Sequence, residues 1–126
     1  MRLWLFVAGL DGALAVIMAA VGAHGPGLSD RAARAFDSAN EIHIWHALAL
    51  LGIALLAGRS HPTAAFSLMV RIAGILFLAG TVLFSGTLYI QSLAGTTPLP
   101  LAAPAGGTAL ILGWLALAGA ALPGNR

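Results

Sequence analysis

Four apolar runs separated by short breaks constrain this chain more than any other feature of it. The first, Leu3 to Ala23, is 21 residues long, enough for a helix to cross about 30 Å of hydrocarbon. The others fall at about 40–57, 72–93 and 105–122. Hydrocarbon offers no water to backbone N–H and C=O groups, so separate runs of this length can cross it only as helices. Composition agrees: 60% of residues are apolar and 8% charged, against about 25% charged in soluble domains. The expected fold is all-α, an integral membrane four-helix bundle in one domain over residues 1–126. Arg2 before the first run and Val21-Gly22-Ala23 at its end also fit a cleaved signal peptide. Asp11 stands where such a peptide would be most apolar, so the run is assigned as a span.

Asp11 lies near the middle of that span. A central Asp costs roughly 2.5 to 3.5 kcal/mol on insertion, and each Leu, Ile, Val or Phe returns about 0.3 to 0.6. Nine such residues between 3 and 21 make insertion favourable and leave a carboxyl that needs a partner. On a helical count Asp11 borders the face of Ala8, Gly12, Ala15, Ala19 and Gly22, small residues that mark a helix contact. The expected partners across the bundle are Thr81, Ser85, Tyr89 and His46. The first three of these belong to a polar stripe on the third helix, where Gly74, Thr81, Ser85, Tyr89 and Ser92 share one face. On the fourth, Gly106, Ala109, Gly113, Ala116 and Ala120 form a second close-packing face. Gly12, Ala15, Ala19, Gly22, Gly86, Gly106, Gly107 and Gly113 are assigned to helix packing.

The break between spans one and two, Gly22 to His46, holds five of the ten charged side chains and three of the four histidines. Gly25-Pro26-Gly27 interrupts the helix, and Ser29 can cap a new one with Asp30 near its positive end. Asp30 with Arg34 and Arg34 with Asp37 are favourable helical pairs. The expectation is a short interfacial helix over 29–39 leading into the second span, with Trp45 as an interfacial anchor. Gly58 to Pro62 is a clear break before a third helix starting near Thr63, with Arg71 at its water-facing boundary. Pro98, Pro100 and Pro104 make 95–104 a stiff loop or re-entrant turn, and Pro123-Gly124 ends the fourth span.

Several short motifs stand in order on these spans: Gly22-Ala23-His24-Gly25, His46-Ala47-Leu48-Ala49-Leu50, Phe84-Ser85-Gly86-Thr87-Leu88-Tyr89, and Pro104-Ala105-Gly106-Gly107 followed by Gly113-Trp114. On these the chain resembles the family of small four-span membrane proteins of unknown function that includes the bacterial YgdD and YwdK proteins. The resemblance covers nearly the whole length and implies a membrane fold, with no established activity, substrate or cofactor. Ile42-His43 and Ala103-Pro104 depart from the family's usual Tyr-Gln and Thr-Pro, so no role resting on those residues carries over.

His24 at the glycine-rich exit can bond a freed carbonyl, or titrate near neutral pH. His43 and His46, three apart on a helix, have a spacing compatible with two metal ligands, with Glu41 or His24 as a third. A structural site wants four ligands and there is no cysteine, so no metal is assigned. Ser85 and Ser92 lack a histidine and acid pair at membrane depth, and Gly106-Gly107 has no following Lys or Arg to make a phosphate loop. No catalytic residue and no cofactor are assigned, and six arginines against four acids make no nucleic-acid footprint. The expected polar core is Asp11, His24, His46, Thr81, Ser85 and Tyr89. The first reading is a non-enzymatic structural, lipid-binding or accessory membrane component surrounded by membrane lipids, with exposed faces that support self-association or another membrane protein. The alternative is a small proton- or solute-coupled transporter or channel subunit using Asp11 and nearby histidines. Arg2, Arg59, Arg71 and Arg126 on one side, against Arg31 and Arg34 on the other, place both termini in the cytoplasm of the inner membrane.

Overall fold

The computed structural model describes residues 1–25, 27–97 and 99–122. Pro26, Pro98, the Pro123-Gly124 stop and Arg126 lie outside them. The described residues form four helices and no strand: α1 Arg2–His24, α2 Asp30–Leu56, α3 Ala64–Ala94 and α4 Ala102–Ala120. Each is long and apolar enough to cross a membrane. The principal packed pairs are α1 with α2, α2 with α3 and α3 with α4, so the helices lean on one another in chain order.

Two helix starts differ from the sequence expectation. Residues 29–39 are not a separate interfacial helix, because α2 runs unbroken from Asp30 to Leu56. Ser29 caps it, its hydroxyl accepting from the Ala32 N–H at 3.3 Å. Phe36, Ala39, His43, Ala47, Leu50 and Ile53 are all buried, a spacing of threes and fours that carries one inward stripe through the charged segment. Arg31, Arg34, Asp37 and Glu41 are exposed, so the charges interrupt the hydropathy without interrupting the helix. Likewise α4 begins at Ala102, ahead of Pro104. Proline is tolerated in the first helical turn, where its missing N–H would have had no partner. The Pro104 carbonyl in turn accepts from the Thr108 hydroxyl at 2.9 Å.

α3 starts at a Thr63 cap, whose hydroxyl accepts from Phe66 N–H at 3.1 Å. It ends at Gly95, whose φ of 69° closes the helix in the left-handed region with its N–H on Gln91 O, a geometry that favours glycine. With 31 residues it is about 46 Å long, longer than the roughly 30 Å of a hydrocarbon core, and Arg71 in its first third is exposed. Arg59 sits over the Phe66 ring at 5.2 Å in that same end.

Small residues set the closest approaches. A Cβ on Gly106 would run into the backbone N of Phe84, with Gly80 O at 2.8 Å and Leu83 Cβ at 2.9 Å. α3 and α4 therefore touch backbone to backbone. Gly113 accepts the Phe77 ring, 2.7 Å from where its Cβ would be, and Gly22 the Phe36 ring at 2.6 Å. Gly12 meets Ala47 at an ordinary 4.0 Å and Gly107 meets Phe84 at 3.6 Å. Ala15 is buried and Ala19 half-buried. Gly86 has no neighbour within 4 Å of a built Cβ; it borders a cavity rather than a helix.

The buried core at one end of the molecule is apolar. Ala8, Leu50, Ile53, Phe66, Val70, Ala73, Phe77, Leu110 and Ala120 form a single core drawn from all four helices. Apart from His46, which packs against Phe77, the buried polar residues gather toward the other half, near a smaller cluster of Phe36, Ala39 and Tyr89.

Candidate functional site

Asp11 is buried in the middle of α1, with Ala8 and Ala15 buried one turn to either side. These small residues bring α1 close to α2, and Asp11 meets His43 there: Nε2 of His43 is 3.3 Å from Oδ1 of Asp11. The other ring nitrogen of His43 lies 3.1 Å from the Tyr89 hydroxyl on α3. Asn40, one turn before His43, donates from Nδ2 to Ala15 O at 2.9 Å and to the Tyr89 oxygen at 3.1 Å. Three helices are thus tied by one polar chain.

The donors fix its direction. Asn40 spends both amide hydrogens on Ala15 O and the Tyr89 oxygen. The Tyr89 O–H is then free to donate to His43 Nδ1, which leaves the imidazole proton on Nε2 to donate to Asp11 Oδ1. In this assignment every hydrogen in the chain has an acceptor. A neighbouring link is independent of it: the Ser85 hydroxyl donates to Ala39 O at 2.8 Å, in the manner of a seam between helices.

Two polar atoms are left over at the centre. Asp11 Oδ2 and Thr81 Oγ1 are buried without a hydrogen-bond partner among the described residues, a state that costs about 1 to 3 kcal/mol for each such group. Both residues line one cavity of about 160 Å³. Its walls are Asp11 and Leu14 of α1 and Thr81, Val82, Ser85 and Gly86 of α3, with His43 and Tyr89 behind them. Leu14 is 49% exposed and Val82 62% exposed, so the cavity opens sideways between α1 and α3.

The structure gathers Asp11, Thr81, Ser85 and Tyr89 at this site and puts the other expected members elsewhere. His46 is buried but does not reach Asp11. Its Nδ1 donates to Ile42 O at 2.7 Å, and its Nε2 accepts from Trp114 Nε1 at 3.1 Å. Indole nitrogen is only a donor, so both imidazole nitrogens are committed. Phe77 and Trp114 pack on the same ring at 5.4 and 6.0 Å. Trp114 is half-exposed, with its polar edge turned inward. His24 is exposed at the end of α1, beside Ile17, Ala20 and Val21, and takes no part in the site around Asp11. Among the described residues no three His, Asp or Glu side chains gather as metal ligands.

Sequence reasoning missed His43 as the partner of Asp11 and missed Asn40 altogether. The signal was present in the run Phe36, Ala39, His43, Ala47, Leu50, which puts His43 on the buried stripe of a helix beginning well before residue 40.

The profile of the DUF423 family, proteins of unknown function, matches residues 18–107, a segment that holds His43, Asn40, Thr81 and Tyr89. The chain belongs to the DUF423 family. It is 34% identical to the UPF0382 membrane protein YwdK of Bacillus subtilis over 97% of this chain and 98% of that one. It is 35% identical to a UPF0382 membrane protein of Staphylococcus aureus, covering 93% of each chain. A UPF0382 membrane protein of Haemophilus influenzae is 32% identical, over 91% of this chain and 90% of its own. The resemblance drawn from the histidine, tyrosine and glycine motifs is therefore family membership, in a family of membrane proteins whose function is unknown. No solved structure matches the chain.

Proposed function

We propose that this DUF423 protein is a non-enzymatic, non-conducting component of the cytoplasmic membrane that uses its buried polar chain to hold three helices together around a small binding cavity. The observation that carries this reading is where the polar chain stops. Asp11 and Thr81 lie about 20 Å along their helices from His24 and Ala94 respectively. Beyond them the four helices are filled by Phe77, Leu50, Ile53, Val70 and Phe66, each at most 7% exposed. The buried polar side chain against that core is His46, and both of its ring nitrogens are already committed, to Ile42 O and Trp114 Nε1, so an ion or proton that reached Asp11 would meet no uncommitted buried side chain there among the described residues. Catalysis has no better support, since both nitrogens of His43 are engaged and the Ser85 hydroxyl is spent on Ala39 O.

One observation favours the second reading, a proton-coupled carrier: Tyr89, His43 and Asp11 are linked as proton donors and acceptors at membrane depth, where ionisable groups commonly mark proton routes. The purified protein in liposomes enclosing a pH-sensitive dye decides between the two. Under an imposed potassium diffusion potential, acidification should match empty liposomes. A flux that disappears in Asp11→Asn would replace the first reading with the carrier.

The proposed orientation has both termini and the Gly58 to Pro62 turn in the cytoplasm, following the arginine asymmetry. The chain has no cysteine, so single ones can report it. Gly27→Cys should react with a membrane-impermeant maleimide in intact cells, and Ser60→Cys only after permeabilisation. The opposite pattern inverts the topology.

A further inference from the structure

We propose that the cavity between α1 and α3 is a lateral site for a neutral hydroxyl head on an apolar body, an aliphatic alcohol in chemical class, held by Asp11 Oδ2 and Thr81 Oγ1. The proposal rests on the reading of this cavity as a binding site and names what enters it.

The depth of the opening decides the body. Leu14 lies ten residues before His24 and Val82 twelve before Ala94, or about 15 to 18 Å along the helices. The rim therefore faces acyl chains rather than headgroups. Its volume of about 160 Å³ equals roughly five water molecules of liquid, room for a small head and the first carbons behind it. A phospholipid headgroup is too large and belongs at another depth.

The unpartnered atoms decide the head. Asp11 is 91% buried and Thr81 98% buried, as the complements of their 9% and 2% exposures, and neither Asp11 Oδ2 nor Thr81 Oγ1 has a partner among the described residues. An ionised Asp11 needs a donor at Oδ2; a protonated one offers a hydrogen there and needs an acceptor. A hydroxyl meets either state, because it donates one hydrogen and accepts on its lone pairs, and its remaining capacity serves Thr81. An ammonium head fits only the ionised state and adds a second charge to hydrocarbon, where desolvation is costly. A carboxylate head meets an ionised Asp11 with like charge. An alkane satisfies neither atom.

Photolabelling of the full-length protein in liposomes tests this. The probes are a medium-chain aliphatic alcohol, amine and alkane of equal length, each with a diazirine beside the head carbon. The alcohol should label the α1 and α3 peptides containing Leu14, Val82 and Gly86, and excess unlabelled alcohol should compete. Gly86→Leu, which projects into the cavity from a position with open space around it, should abolish the labelling. Thr81→Val keeps the side-chain shape, and should weaken labelling roughly three- to tenfold through one lost hydrogen bond. If Gly86→Leu fails to fold, Thr81→Val carries the test. Equal labelling by the alkane would make this an apolar groove with water on its polar atoms; stronger labelling by the amine would make it a cation site. Each result overturns the proposal, as does labelling that neither variant changes, or a crosslink across the groove to a second copy of the chain. Proton flux in the liposome assay above would sink the non-conducting reading and leave this labelling pattern as it stands.

Discussion

His43→Leu should destabilise the protein by roughly 3 kcal/mol, the range found when one partner of a buried pair is removed and the other stays. The histidine is 3% exposed and joins Asp11 on α1 to Tyr89 on α3. Its loss strands the Asp11 carboxyl and takes the acceptor from the Tyr89 O–H, which keeps only the bond from Asn40. Asp11→Leu alone should cost less, because His43 keeps Tyr89. The double variant Asp11→Leu with His43→Leu should be more stable than the sum of the two single losses predicts, by about 1 kcal/mol or more, the usual signature of directly contacting groups. Unfolding in mixed micelles, followed through the three tryptophans, measures all three. Strict additivity would mean that the 3.3 Å approach of Asp11 and His43 carries no energy.

Gly106→Ala should cost about 2 to 3 kcal/mol, at the upper end of what one inserted methyl exacts in a packed interior. The added Cβ meets backbone, the N of Phe84 and O of Gly80, and backbone cannot rotate aside as a side chain can. Gly107→Ala next to it would stop 3.6 Å from the Phe84 ring, an ordinary contact, and should change stability by no more than about 0.5 kcal/mol. The pair is its own control, since both substitutions raise helix propensity alike. The same micelle unfolding, run on both, should separate them; equal effects would show that α3 and α4 do not press together at Gly106.

The spans were legible because hydropathy alone identifies segments that must be helical in hydrocarbon. Asp11 was legible as a buried group for the same reason, and so was the stripe of Thr81, Ser85, Tyr89 and Ser92, all of which are buried. The identity of the Asp11 partner was not. His43 and His46 are three residues apart, so their side chains leave α2 about 60° from one another, one toward α1 and the other toward Phe77 and Trp114. Which faces which depends on the rotation of α2 against its neighbours, and local sequence does not encode that rotation. The error at residues 29–39 had a different origin. The charged residues there do not mark a boundary: Phe36 and Ala39 bury one face of the helix while Arg31, Arg34, Asp37 and Glu41 lie on the exposed one. The family motif around Tyr89 did point to the site, without saying that Asn40 would be the residue to hold it.

The thin attachment of α1 carries a consequence for how the protein is made. Only Ala8, Asp11 and Ala15 of this helix are buried, and the partner of its carboxyl lies 32 residues downstream. During synthesis α1 enters the bilayer first, and Asp11 waits there unpaired until His43 emerges and α2 turns back beside it. For that interval the lone mid-membrane Asp takes back about 2.5 to 3.5 kcal/mol of what the apolar residues of α1 gain on insertion, and the docking of α2 supplies the partner it lacked.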